Sequence, residues 1–132
     1  MRLDTDDFCF ACGRSNPHGL RLDGFRLEGD SYAFDWTPEP HFQGWPRIVH
    51  GGIITTVLDE AVTRLLWEQG IAALTAEISV RFLRPLPVNT GTRVQARMTD
   101  QRGRLIHAEA AISDADGEYA RARVTMLRVE HA

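Results

Sequence analysis

The sequence predicts an α+β fold: an antiparallel sheet of five to six strands wrapped around one long central helix. Three observations predict it. One stretch, 52–69, has helical periodicity and is apolar around most of its circumference. Four segments of two-residue alternation follow it, separated by turn residues. And 132 residues are one ordinary domain, with no room for a second core.

Each element has its own signal. Residues 1–19 gather Cys9, Cys12, Gly13, Asn16, Pro17 and Gly19, which predict an irregular opening segment of a single domain, 1–132. Segments 20–27 and 31–36 read as strands joined by the turn Glu28-Gly29-Asp30. Residues 37–49 carry Pro38, Pro40, Gly44 and Pro46 and predict a loop. In the helix, Ile53, Ile54, Val57, Leu58, Ala61, Val62, Leu65 and Leu66 cover far more than one stripe. Something must therefore surround it, and Gly70 ends it. The surrounding strands are 75–84, 92–99, 105–113 and 118–129. Ile78, Val80 and Phe82 share one face, and Glu77, Ser79 and Arg81 share the other. Val94, Ala96 and Met98, then Ile106, Ala108 and Ala110, then Ala120, Ala122 and Val124 repeat the pattern. The hairpin turns are Gln101-Arg102-Gly103 and Asp114-Ala115-Asp116-Gly117.

Composition excludes several classes. Eighteen acids against 15 bases give a charge of −3, which is no footprint for nucleic acid. All 15 bases are arginine. Without lysine there is no Schiff-base chemistry, no lysine general base and no phosphate loop of the Gly-Lys type. A polyanion would have to be held by guanidinium forks and backbone amides, for which Arg81, Arg84 and Arg47 are the candidates. The acidic opening with Asp4, Asp6 and Asp7 is unlike a secretory leader. No apolar run approaches the roughly 20 residues of a membrane span. The expectation is a cytoplasmic protein with no membrane partner.

The chemistry concentrates in 41–60. Val49-His50-Gly51-Gly52 immediately precedes the helix. The first turn of a helix has unpaired N–H groups and a partial positive charge, and glycine admits a carbonyl close to that backbone. The Gly51 amide is the expected oxyanion donor. Asp59 stands in the apolar helix on the polar stripe Thr55–Asp59–Thr63, with no opposite charge three or four residues away. Its neighbour Glu60 has Arg64 one turn on and reads as a paired acid. Gly51 and Asp59 are eight residues apart, about 12 Å along one helix. One carbonyl cannot touch both. A site using both must take one of them from a second copy of the chain, so a homodimer with two equivalent sites is expected.

His50-Gly51-Gly52, Asp59 nine residues after the histidine, and the run from Thr75 through Ile78-Ser-Val-Arg81-Phe82-Leu-Arg84-Pro85 resemble the hotdog-fold acyl-CoA thioesterases, most narrowly the phenylacetyl-CoA type and its mammalian thioesterase-superfamily relatives. Cys9-Phe-Ala-Cys12-Gly13 with Asn16-Pro17 is also similar to the opening of many members. The resemblance implies the hotdog fold, dimers and often tetramers, an acyl-CoA substrate and no cofactor. It implies Asp59 as general base or nucleophile and Gly51 as donor to the thioester carbonyl. His50 shapes the turn, Thr75 helps hold the acid or its water, and Gln43 lies over the site. Relatives often have glycine where this chain has Arg47. Phe42 and Trp45 are candidate walls of an acyl pocket, Gly52 admits the substrate, and Glu60 lies beside it.

Two rival readings share the fold. His41-Phe42-x-Gly44-x-Pro46 resembles the corresponding run of hotdog dehydratases, in which His41 and Glu60 would form the acid–base pair. An acyl-CoA-binding module without catalysis would keep the pocket but has no need of Asp59. Cys9-x-x-Cys12 offers half a zinc site, which His18 and His41 could complete, but no spacing demands it and no metal is expected. The plainer expectation is a packed flap.

Overall fold

The computed structural model describes residues 1–131, the side chain of His131 excepted. Ala132, within the expected domain, lies outside the described residues. The elements are β1 (Arg2–Leu3), β2 (Arg26–Glu28), β3 (Ser31–Trp36), a 3-10 turn (Pro40–Phe42), α1 (Gly51–Glu68), β4 (Ala73–Phe82), β5 (Thr92–Arg102), β6 (Leu105–Asp114), β7 (Gly117–Arg128) and β8 (Glu130–His131). Six strands form one antiparallel sheet in the order β2-β3-β5-β6-β7-β4. The sheet curves around α1, which touches β3, β4, β5, β6 and β7. This is the hotdog arrangement.

The core explains why the helix is apolar on most sides. Val57, Leu58, Ala61, Val62, Leu65 and Leu66 have no exposed surface. Opposite them, Phe34, Val94, Ile106, Ile112, Val124 and Met126 present the inner face of the sheet, also fully or almost fully buried. Each of these side chains larger than alanine contributes about 1.5–3 kcal/mol relative to exposure. The helix is not enclosed all round. Thr55, Asp59 and Thr63 are half-buried, so the polar stripe marks the gap in the wrap.

Helix and strand boundaries fall within a few residues of those expected, with two differences. Segment 20–27 is not a strand along its length, since β2 begins only at Arg26. Leu20 and Leu22 are buried, but their N–H groups donate to the carbonyls of Phe10 and Ala11, 2.8 and 2.9 Å away, in the opening segment. Arg21 between them has φ 52°, which no strand tolerates. The alternation reported burial, not sheet pairing. The second difference is a bulge in β4. Thr75 faces Met126 and Glu77 faces Thr125, so Ala76 is an extra residue.

Candidate active site

The bulge places the site. By parity, Thr75 should lie with Glu77, Ser79 and Arg81 on the outer face of β4. The inserted Ala76 flips the parity, and Thr75 turns inward with Ile78 and Val80. Its hydroxyl donates to Asp59 Oδ1 at 2.5 Å. The structure thus brings Asp59 and Thr75 together at β4, one of the two edge strands of the sheet.

The helix start is built as the sequence suggests. His50, with extended backbone, is the N-cap, and its Nδ1 accepts from the Gly52 N–H at 2.9 Å. A Cβ on Gly52 would lie 3.1 Å from that nitrogen and crowd the capping ring. The Gly51 N–H, one residue earlier, donates to no group among the described residues. The Phe82 ring from β4 lies beside Gly51, 3.4 Å from where a Cβ would be.

The loop before the helix is fastened from within. Gln43 Oε1 accepts from the Arg47 N–H at 2.9 Å, so the Gln43 side chain braces the loop. Arg47 sits at φ 68°, the left-handed region where glycine is at ease. Phe42 is buried in the core, while Trp45 is 82% exposed and forms no part of it.

Glu60 departs from its expected place. It is only 7% exposed, and its carboxylate meets the opening segment, with Cys9 Sγ 3.5 Å from Oε2. The expected ion pair with Arg64 does not form among the described residues, and the Arg64 guanidinium lies over the Phe25 ring at 4.6 Å. Burial pushes the Glu60 carboxyl above the usual range. The same cause pushes the Cys12 thiol up to about 12. His41, its notional dehydratase partner, is exposed and lies beside Glu39 instead.

The candidate phosphate forks also differ. Arg84 bonds Asp114 at 2.7 Å and the Gly117 carbonyl at 2.8 Å, and its guanidinium covers the Tyr119 ring at 3.7 Å. Its fork is taken up inside the chain. Arg81 is exposed on the outer face of β4, directly across from Arg121 of β7. No helix among the described residues is long and apolar enough to cross a membrane.

Comparison with known proteins adds a family. Over 90 residues the chain is 27% identical to the acyl-coenzyme A thioesterase THEM4 of Rattus norvegicus, a match covering 68% of this chain and 39% of that one. The chain therefore spans about two fifths of the curated relatives it matches. A crystallised thioesterase superfamily protein superposes with a TM-score of 0.82 at 25% identity, over 89% of this chain and 61% of the other. The smu.793 protein of Streptococcus mutans, bound to acetyl CoA, shares the fold with a TM-score of 0.75 at 17% identity, over 88% of this chain and 98% of that one. A family model described as the thioesterase superfamily matches residues 47–121, which begins at the loop before the helix and ends within β7. This chain belongs to the thioesterase superfamily.

Proposed function

We propose that this chain is an acyl-CoA thioesterase whose active site is shared across a homodimer. The observation that carries the reading is Asp59, half-buried on the open stripe of the helix and held by Thr75 at 2.5 Å. A carboxylate held by one hydroxyl keeps lone pairs for a water molecule. Asp59, as general base, takes a proton from that water as its oxygen adds to the thioester carbon. The carbonyl oxygen gains charge and is stabilised by the Gly51 N–H of the second protomer, at the positive end of its helix. The carbon–sulfur bond then breaks, and the proton held by Asp59 passes to the departing thiolate. Direct attack by Asp59, through an anhydride that water then opens, uses the same geometry.

The rat relative, itself named an acyl-CoA thioesterase, and the acetyl-CoA-bound fold neighbour support a CoA ester as substrate. Pairing of two protomers is supported by β4, a ten-residue strand at the end of the sheet with Leu74 and Phe82 exposed. The test is thiol release from a panel of acyl-CoA esters. The wild-type chain is expected to turn over at least one of them, and Asp59→Ala is expected to abolish release. Tight binding without release would favour a binding module. Interconversion of 3-hydroxyacyl and enoyl esters would favour a dehydratase.

A further inference from the structure

The thioesterase reading leaves the Cys9-x-x-Cys12 turn and the buried Glu60 without work. Cys9 and Cys12 each offer a sulfur, and Glu60 offers a carboxylate oxygen, and these three atoms all lie within 4.8 Å of one another. We propose that they form a site for one thiophilic divalent cation, of the zinc class, which clips the opening segment to the central helix. This inference does not rest on the proposed activity.

The turn is constructed to hold two sulfurs together. The Gly13 N–H donates to the Cys9 carbonyl at 2.8 Å and closes the loop. A Cβ on Gly13 would stand 2.4 Å from the Cys9 nitrogen and 2.7 Å from the Asp7 carbonyl oxygen, so only glycine fits. The loop is pinned on both sides. The Asp7 carboxylate accepts from the Arg14 N–H and the Ser15 hydroxyl, both at 2.9 Å, while the Phe10 and Ala11 carbonyls accept from Leu20 and Leu22. The sulfurs are thus positioned by backbone and side-chain bonds that need no ion.

Glu60 supplies what the sequence motif lacks. Carboxylates 93% removed from solvent are almost always paired with a cation or strong donors, and Glu60 is 7% exposed. It forms no salt bridge among the described residues, and the donors it meets are the Cys12 and Cys9 thiols, both weak ones. In tetrahedral zinc sites the metal lies about 2.3 Å from sulfur and about 2.0 Å from oxygen, which sets sulfur and oxygen about 3.5 Å apart. The Cys9 Sγ to Glu60 Oε2 distance is 3.5 Å. Two thiolates select a thiophilic ion over magnesium or calcium. Three protein ligands leave a fourth position for solvent. Binding releases both thiol protons, and the site's residual negative charge lies within electrostatic reach of the Arg64 guanidinium on the next helical turn.

The full chain, reduced and stripped with a chelator, is titrated with Co²⁺ and then with Zn²⁺. The expected result is about one ion per chain, a thiolate-to-cobalt charge-transfer band, and loss of that band as zinc displaces cobalt. The double variant Cys9→Ser/Cys12→Ser loses the band. Glu60→Gln keeps it but weakens binding by about tenfold or more, at least the loss that even an outer-sphere partner costs. Absence of a charge-transfer band in the wild-type chain at saturating cobalt overturns the site, and this arm depends on no variant's folding. A band that survives removal of both sulfurs overturns it as well, and undiminished affinity in Glu60→Gln removes the carboxylate from it.

Discussion

Arg47 shows what one residue costs when its backbone does work that its side chain does not. Its N–H donates to Gln43, and its carbonyl accepts from the Val88 N–H at 3.0 Å, so both fastenings of the loop are main-chain ones. The side chain is exposed, yet the residue is held at φ 68°. Left-handed backbone costs a residue with a Cβ about 1–2 kcal/mol. Arg47→Gly removes that strain and keeps both bonds, against about 0.5–1 kcal/mol of added freedom in the unfolded chain. The expected outcome is a small net gain, read as a melting temperature raised by about 2–4 °C. A lowered melting temperature would mean that the guanidinium contributes to the loop after all. Residues of this kind were partly legible in the sequence. Asp59 stood out as an acid in an apolar helix with no opposite charge one turn away, and the Gly51 amide as a free donor at an open helix start, while the part played by His50 came from resemblance. The pairing of Asp59 with Thr75 came only from resemblance, since strand parity alone turns Thr75 outward and no sequence pattern announces the bulge at Ala76. Glu60 was misplaced for a related reason: an acid with an arginine one turn on looks paired, and burial under a distant segment leaves no local trace.

At the scale of the element, the β6–β7 hairpin shows why an arginine beside a site is not always for the substrate. Asp114, just before the turn, accepts from Tyr119 and Arg84, and Arg84 also binds the Gly117 carbonyl across it. The Tyr119 hydroxyl, and then the Arg84 guanidinium, hold the Asp114 carboxyl at about 2, below its ordinary 3.8. A depressed carboxyl pKa stabilises the fold above the unfolded value and loses that contribution as pH falls through the folded one. The hairpin clip is therefore intact at neutral pH and fails between about pH 4 and pH 2. Asp7 and Glu28 are also held low by hydrogen bonds and add to the same acid slope. In Asp114→Asn, the melting temperature should be lower at neutral pH and fall less steeply from pH 4 to pH 2 than in the wild type. An unchanged slope would show that the clip carries no stability. Arg84→Ala should likewise lower the melting temperature while leaving the KM ratio of CoA to pantetheine esters unchanged. Alternation located the four strands after the helix because each has one wet and one dry face. It overran at 20–27 because irregular chain buried against a flap alternates as well.

For the whole molecule, the decisive length is that of the helix. Gly51 and Asp59 stand eight residues apart on one rigid element, about 12 Å, and no rearrangement of one protomer brings them to a single carbonyl. The described chain also ends its sheet on β4, the strand that carries Thr75, with Phe82 exposed beside Gly51. In the proposed dimer, two chains would pair along that edge, covering these apolar side chains and setting the Gly51 of one helix against the Asp59 of the other. Two variants separate a shared site from a private one. Asp59→Ala removes the base. Gly51→Pro removes the amide donor at the first helical position, where proline is tolerated and where His50, at ψ 133°, already has the backbone that precedes one. Each alone should lose about 10²–10³ or more in kcat. When the two are unfolded together and refolded in equal amounts, half the dimers are mixed. Each mixed dimer then holds one site with both groups intact, so activity should return to about one quarter of the wild-type value. If both groups acted within one chain, the mixture would stay as inactive as its parts, and the shared site would be lost with it.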